Sequence, residues 1–229
     1  MSGPLHSGPG ALVRLLYPTR AVCMGCGSRA GFDRDWLCED CRQGLANRWV
    51  GVAPPPGGGW IEGAAYAYVY GGPAAGLVHN LKFRSVSHLA EPMGRQMVRA
   101  LEGLQPLRVD CAAPVPMHPR RLRRRGIDHA LLLARAVAEG LELPVEQPLV
   151  RTRDTRQQSR LDGIERLRNL DGAFAVTGDV TGRRVLLVDD VCTTGTTANA
   201  CAEALRRAGA SAVLLACFSQ AGGRAGNKE

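Results

Sequence analysis

The residues best suited to chemistry form a short acidic and hydroxyl-rich segment. Asp189 and Asp190 follow the apolar residues 185–188, and a turn with several threonines and one glycine comes next. Backbone N–H groups can converge at such a glycine, and the N-terminus of a following helix adds partial positive charge. The turn therefore predicts a phosphate site, whose members are Thr193, Thr194, Gly195, Thr196 and Thr197.

The two carboxylates predict a different ligand group. Asp189 and Asp190 repel phosphate, but they accept hydrogen bonds from sugar hydroxyls, either directly or through a hydrated Mg²⁺. A capped helix after a core strand is the simpler alternative, because Thr and Asp often cap helices. Two acids and four threonines at these positions favour a sugar-phosphate site instead. The segment is not a P-loop, since no lysine follows Gly195 at the position that this motif requires.

A second group of reactive side chains lies near the N-terminus. Two Cys-x-x-Cys pairs are separated by eleven residues and carry the thiols of Cys23, Cys26, Cys38 and Cys41. In a reducing compartment this spacing predicts a tetrahedral, structural Zn²⁺ site. A module of about thirty residues cannot bury a sufficient core of its own, so we expect the metal to stabilise it.

The composition indicates a globular protein with a basic surface. The 229 residues carry a formal net charge of +8, and 45% of them are hydrophobic, which excludes wholesale disorder. No stretch is apolar enough to span a bilayer and no secretory signal pattern opens the chain, so we expect a cytoplasmic protein without membrane insertion. Between the cysteine pairs lie Phe32, Trp36, Arg29 and Arg34, which would either cover the metal site or bind single-stranded nucleic acid.

The elements that must position these groups follow from alternating apolar and helical patterns. The predicted strands are 64–70, 109–115, 185–188 and 212–218. The predicted helices are 74–81, 89–104, 130–141 and 196–208. This alternation indicates an α/β domain with a mainly parallel sheet flanked by helices. Ligands of such sheets bind beyond the carboxyl ends of the strands, which is where the threonine turn lies.

Composition also predicts the organisation of the chain. The predicted segments are a flexible N-terminus at 1–20, a cysteine module at 21–50, a Pro/Gly linker at 51–59, the α/β domain at 60–219 and a disordered tail at 220–229. Within the domain, residues 151–169 are rich in charged side chains. They predict a loop that either closes over the site or forms an ordinary surface insertion.

The acidic segment resembles the 5-phosphoribosyl-1-pyrophosphate (PRPP) signature of type I phosphoribosyltransferases, Val-Asp-Asp-Val-x-Thr-Thr-Gly-x-Thr. Other motifs narrow the resemblance to the ComF family, competence-associated proteins with this fold and an N-terminal zinc ribbon. These motifs are the four cysteines, Leu81-Lys82-Phe83-Arg84, Pro114-Val-Pro-Met-His-Pro, Arg124-Arg125-Gly126, Thr155-x-x-Gln158-Ser159 and Arg166-x-x-Asn169-x-x-Gly172-Ala-Phe174. The family often reads Arg-Gly-Phe-Asn-Gln where this chain has Arg125-Gly126-Ile127-Asp128-His129, which leaves the roles of 127–129 open. His129 itself is predicted to be a helix-flanking polar residue.

The resemblance implies a Mg²⁺-dependent transfer of phosphoribosyl from PRPP to an acceptor, with release of pyrophosphate. Asp189 and Asp190 would be the catalytic pair that holds the ribose 2′- and 3′-hydroxyls. A basic loop after residue 115, with Arg124 and Arg125, would bind pyrophosphate together with Lys82. The alternatives for these arginines are a solvated basic face or a non-specific nucleic-acid patch.

The resemblance also links the chain to competence and DNA uptake. The alternative to an enzyme is therefore a non-catalytic PRPP or nucleotide sensor. Such a sensor would bind single-stranded DNA and competence partners such as helicases or recombination mediators. The sequence does not identify the acceptor or the oligomeric state.

Overall fold

A five-stranded sheet forms the centre of the computed structural model, which describes residues 22–29, 31–57, 59–83, 86–152 and 172–221. Its strands are β1 (Trp49–Ala53), β2 (Gly63–Val69), β3 (Cys111–Pro114), β6 (Arg184–Cys192) and β7 (Ala212–Gln220). The spatial order is β1-β2-β7-β6-β3. All neighbours are parallel except β1, which pairs antiparallel with β2. A separate antiparallel pair consists of β4 (Leu149–Arg151) and β5 (Phe174–Val176).

Helices cover both faces of this sheet. They are α1 (Glu39–Ala46), α2 (Gly72–Phe83), α3 (Ala90–Leu101), α4 (Pro119–Arg125), α5 (His129–Leu141) and α6 (Thr196–Arg207). Helices α3 and α5 pack against each other on one face, and α6 packs on the opposite face together with β5. The α/β class and the mainly parallel sheet are thus confirmed.

The strand sequences explain why the sheet is buried on both faces. Along β2, Ala65 and Ala67 face the core beneath α3 and α5, whereas Ala64 and Tyr66 face the core beneath α6. The four residues 185–188 of β6 are each 0% exposed. A parallel strand covered by helices on both faces needs such an uninterrupted apolar run.

Three local predictions differ from the structure. Strand β6 does not stop at residue 188, because its ladder with β7 continues to Cys192 opposite Gln220. The arginines after residue 115 form helix α4 and not a loop. The His118 ring accepts a hydrogen bond from the Arg120 N–H at 3.2 Å, Pro119 is the first helical residue, and Gly126 ends the helix at a φ of +72°.

The third difference concerns the predicted linker, whose first residues 51–53 belong to strand β1. This strand pairs with β2, and the Trp49 ring packs edge-on against Tyr68 with centroids 5.6 Å apart. An apolar partner strand thus outweighs the local Pro/Gly composition. The division of the chain into a module, a linker and a domain stays a prediction. The predictions for residues 1–20, 153–169 and the tail after residue 221 lie outside the described ranges.

The cysteine module packs directly on helix α2. A Cβ atom added at Gly76 would lie 2.0 Å from the Gly25 carbonyl oxygen, so the two backbones are in close contact. The Asn80 side-chain amide donates a hydrogen bond to the Met24 carbonyl at 2.7 Å. Cys23 and other buried residues of the module belong to the same apolar cluster as α2, α3 and α5. The module therefore completes one core of the α/β domain.

Among the described helices, none has both the length and the apolar character needed to cross a membrane.

We expect Gly76→Ala to destabilise the protein. Alanine normally favours a helix interior over glycine by about 1 kcal/mol, so propensity alone would stabilise α2. Here the added Cβ meets the backbone of Gly25 at 2.0 Å and must displace either the helix or the cysteine module. The net loss should be roughly 1–3 kcal/mol in the free energy of unfolding, measured by urea denaturation.

The matched control is Gly178→Ala, at an exposed site where an added Cβ meets no described atom within 4 Å. This variant should unfold like the parent. Equal stability of the two variants would show that α2 and the module are not in obligatory contact.

Candidate functional site

The centre of the candidate site is the buried carboxylate of Asp190 on β6. Only 2% of this residue is exposed. Its Oδ2 atom lies 2.8 Å from the Lys82 ammonium and 3.1 Å from Nε2 of His129. Lys82 lies in the last turn of α2 and His129 is the first residue of α5, so three elements of the fold meet at one carboxyl group.

Asp189 lies beside this cluster and has a different environment. It is half-buried, and its Oδ1 accepts a hydrogen bond from the Asp190 N–H at 2.8 Å. Removal from water and repulsion by the Asp190 carboxylate raise its pKa well above the usual range, although Lys82 opposes this shift. The two carboxylates therefore lie in different electrostatic environments, and Asp190 is the one with a cation in contact.

His129 begins helix α5, in agreement with its prediction as a helix-flanking residue, but the sequence did not predict its contact with Asp190. Asp128 caps α5 by accepting the Leu131 N–H at 3.0 Å, which fixes the first turn and directs the following imidazole towards β6. Burial lowers the pKa of His129 despite the attraction of Asp190, so the ring is neutral near pH 7. Its Nδ1 atom is buried and has no hydrogen-bond partner among the described residues. The one available signal was its position in the segment that departs from the family pattern.

The threonine turn has the shape expected of an anion cradle. Gly195 adopts a φ of +74°, a left-handed conformation that favours glycine, and α6 begins at the next residue. The hydroxyls of Thr194 and Thr196 lie 2.7 Å apart. Thr193 and Thr194 are exposed, whereas Thr196 and Thr197 are half-buried. Exposed hydroxyls beside a helix N-terminus suit a phosphate group arriving from solvent.

Part of the predicted linker packs on this turn, which the sequence did not indicate. A Cβ added at Gly195 would lie 2.0 Å from the Pro56 side chain. The Asn199 amide donates to the Pro56 carbonyl at 3.2 Å and also contacts the carbonyls of Gly57 and Gly195. One side chain of α6 therefore ties the linker to the turn. Asn199 looked like an ordinary helix residue in the sequence, because the contact spans more than 140 positions.

The basic residues predicted to bind pyrophosphate are only partly assembled. Lys82 reaches Asp190, and the half-buried Arg125 is close enough for Asp190 to influence its pKa, which burial lowers overall. The Arg125 guanidinium also stacks 5.2 Å from the ring centroid of the exposed Phe83. Arg124 is exposed on α4, and within the described ranges no contact joins it to the acids. Lys82 and Arg125 thus line the site, while Arg124 lies at its periphery.

The four cysteine thiols lie together as their spacing predicts. The Sγ atoms of Cys23, Cys26, Cys38 and Cys41 all lie within 4.8 Å of one another, and Cys26 and Cys38 are 3.8 Å apart. Four thiolates at a Zn–S distance of about 2.3 Å would be separated by about 3.8 Å in a tetrahedron. Backbone N–H groups of Ser28 and Cys38 point at sulfur atoms, as expected where thiolates are stabilised. The cluster is therefore suited to a metal ion such as zinc.

The aromatic residues of the module are engaged within the protein. Trp36 stacks on Phe32 at 5.5 Å between ring centroids and contacts the His88 ring at 5.0 Å. Of the two roles left open by the sequence, these contacts favour a packing role next to the cysteine cluster.

Comparison with known proteins supports the interpretation of the α/β domain. The phosphoribosyl transferase domain model matches residues 126–229. DNA utilization protein YhgH of Escherichia coli is 34% identical over 209 residues, which cover 86% of this chain and 89% of that protein. Competence protein F of Haemophilus influenzae is 31% identical over 151 residues, which cover 62% of this chain and 66% of that protein.

Solved structures that match part of the chain include a purine phosphoribosyltransferase from Pyrococcus horikoshii. It is 19% identical with a TM-score of 0.37, and the match covers 56% of this chain and 73% of that one. A glutamine PRPP amidotransferase from B. subtilis is 24% identical with a TM-score of 0.38, over 55% of this chain and 25% of that one. Since both TM-scores are low, the assignment rests on the sequence relatives. With a four-cysteine cluster, a phosphoribosyl transferase domain and relatives that match most of its length, the chain belongs to the ComF family of phosphoribosyltransferase-fold proteins.

Proposed function

We propose that this protein binds PRPP with Mg²⁺ and transfers its phosphoribosyl group to an acceptor. The observation that supports this most is the arrangement on β6 and α6. A buried carboxylate with a neighbouring acid is followed at once by a glycine-centred, hydroxyl-rich turn at a helix N-terminus. A ligand that fits both must carry sugar hydroxyls and a phosphate a few ångströms apart, as the ribose 5-phosphate part of PRPP does.

In the proposed reaction an acceptor nucleophile attacks C1 of the ribose. The bond from C1 to the pyrophosphate oxygen breaks, its electron pair leaves with pyrophosphate, and the acceptor loses a proton. The threonine turn holds the 5-phosphate, Asp189 and Asp190 orient the hydroxyls, and Lys82 and Arg125 stabilise the leaving group. Such a site accelerates the reaction mainly by positioning and by charge stabilisation.

The proposal includes Mg²⁺ because the donor set is compatible with it. Carboxylate oxygens of Asp189 and Asp190 are among the ligands that this ion prefers, and together with His129 they form a group that could hold a cation. When bound with PRPP, the ion would neutralise pyrophosphate charge. We place this activity in the cytoplasm, because the four-thiolate cluster requires reduced cysteines.

Asp190→Asn should weaken PRPP binding by about tenfold or more. The amide keeps the size of the side chain, but it removes the negative acceptor that sugar hydroxyls would use, and it leaves the Lys82 ammonium without its partner. Isothermal titration of PRPP with Mg²⁺ into the folded protein measures the change.

The double variant Asp189→Asn/Asp190→Asn should abolish binding, whereas Asp179→Asn, which removes one carboxylate outside the site, should not alter it. Unchanged affinity in the double variant would refute the role proposed for the acid pair.

We also propose that the cysteine cluster holds one structural Zn²⁺. Cys38→Ser should lose the metal and lower the thermal midpoint by several degrees, since a module of this size depends on its ion. Metal content by mass spectrometry and a thermal melt give the two readouts.

The control is Cys201→Ser, which makes the same change at a cysteine that is 0% exposed and outside the cluster. It should keep the zinc even if it costs some stability. Full zinc occupancy in Cys38→Ser would contradict a four-thiolate site.

A second candidate function is suggested by the basic helix α4 and by the names of the relatives. Arg120 and Arg123 are exposed on α4, and Arg125 of the same helix contacts the exposed ring of Phe83. Cations beside an exposed ring are typical of surfaces that bind single-stranded nucleic acid. We infer that the protein can bind single-stranded DNA here, as a PRPP sensor in DNA uptake would.

Binding of a labelled single-stranded oligonucleotide should then weaken steeply with salt. Arg120→Gln/Arg123→Gln should reduce the slope of log K against log salt concentration by about 0.7 for each phosphate that the protein no longer neutralises. Arg135→Gln/Arg207→Gln removes the same charge from exposed positions on α5 and α6 and should leave the slope unchanged. A flat salt response in the parent protein would exclude this electrostatic interaction.

A further inference from the structure

We propose that Lys82 couples the two halves of the substrate site by exchanging partners: it covers Asp190 in the free protein and moves to pyrophosphate when that anion binds. The inference rests on the proposed PRPP site and adds a mechanism that links ribose binding to pyrophosphate binding.

The first observation is that the sugar-binding carboxylate is covered. The Asp190 side chain is 3% exposed, and the Lys82 ammonium lies 2.8 Å from its Oδ2. A sugar hydroxyl must approach an acceptor oxygen to about 2.7 Å, so one of the two groups at Oδ2 must move before a hydroxyl can bind that oxygen.

The second observation identifies which group moves. The His129 side chain is 8% exposed, and the capped first turn of α5 holds it in place. The Lys82 side chain is 20% exposed, and it is a flexible four-carbon stem in the last turn of α2. Lys82 can therefore leave the carboxylate, while His129 continues to contact Asp190.

The third observation is the charge around Lys82. A buried carboxylate keeps a cation strongly unless another anion competes for that cation. Pyrophosphate is such an anion. A second cation is close by, because the Arg125 guanidinium stacks on Phe83, the residue after Lys82. Each ligand must break the Lys82–Asp190 ion pair to bind alone, but the pair has to be broken only once when both bind. By linkage, each ligand then strengthens the binding of the other by the same factor.

Direct electrostatic repulsion between the two ligands would give coupling of the opposite sign. The sign of the measured coupling therefore tests the proposal. Ribose 5-phosphate and pyrophosphate are both anions, so direct repulsion would make each weaken the other. A Mg²⁺ ion shared between them would make each strengthen the other, but that effect would not require Lys82. Only the exchange of partners gives positive coupling that depends on the lysine side chain.

The experiment is a set of titrations of ribose 5-phosphate at fixed Mg²⁺, with and without saturating inorganic pyrophosphate. In the parent protein, pyrophosphate should lower the dissociation constant of ribose 5-phosphate at least fivefold. This is the lower end of typical coupling between sites. In Lys82→Met the factor should fall to one or below, because the ion pair is already absent and only direct repulsion between the anions remains. Lys82→Arg keeps the charge and should retain most of the coupling.

The controls separate this inference from the proposed function. Arg135→Gln removes one exposed charge from α5 and should leave the coupling factor unchanged. Thermal melts of each variant identify any that fail to fold, and Lys82→Gln replaces Lys82→Met in that case.

PRPP binding without positive coupling in the parent protein would overturn the inference and leave the proposed function intact. Equal coupling in Lys82→Met and the parent would overturn it in favour of a shared Mg²⁺. Failure of PRPP, ribose 5-phosphate and pyrophosphate alike to bind would overturn both proposals.

Discussion

The structure around the candidate site depends on one requirement: the buried carboxylate of Asp190 must have a counter-charge. An unpaired buried carboxylate costs several kcal/mol, so the partners of this side chain are constrained as strongly as a core contact. Lys82 supplies this charge from α2 at 2.8 Å, and the neutral His129 ring contacts the same oxygen from α5 at 3.1 Å. The end of one helix and the start of another are therefore fixed relative to strand β6. The contacts of one carboxylate oxygen therefore hold β6, α2 and α5 together, although these elements are far apart in the chain.

Helix α2 carries this constraint to the cysteine module. Gly76 contacts the backbone of Gly25 and Asn80 binds the Met24 carbonyl, on the same helix whose last turn presents Lys82. Six residues of α-helix span about 9 Å, so the contact with Gly25 and the backbone of Lys82 are rigidly connected. The module therefore acts as a support for the helix that bears the site lysine. This gives a physical reason for a small metal-dependent module and a phosphoribosyltransferase-like domain to occur in one chain.

The sequence predicted the parts of the fold and site that depend on local pattern. Residues 185–188 are apolar without interruption because a central parallel strand is buried on both faces, and the turn at Gly195 is recognisable because few residues other than glycine adopt its φ. His129 and Asn199 were not predicted, since each acts through a partner more than fifty positions away. Helix α4 was predicted as a loop, because its arginine-rich composition conceals the capping by His118 and Pro119. Polar residues in ordinary helical contexts carry no local signal of a tertiary contact.

The site combines groups that the fold holds in place with cations on flexible side chains, and the two sets suit different parts of the substrate. The threonine turn, the acids of β6 and His129 are held by the sheet ladder, by a helix cap and by the contacts of Asn199. Lys82 and Arg125 lie at the ends of α2 and α4 on long side chains that are partly exposed. In a transfer from PRPP the ribose phosphate must stay oriented while pyrophosphate departs. Rigid groups are suited to the part that stays, and flexible cations are suited to the part that leaves.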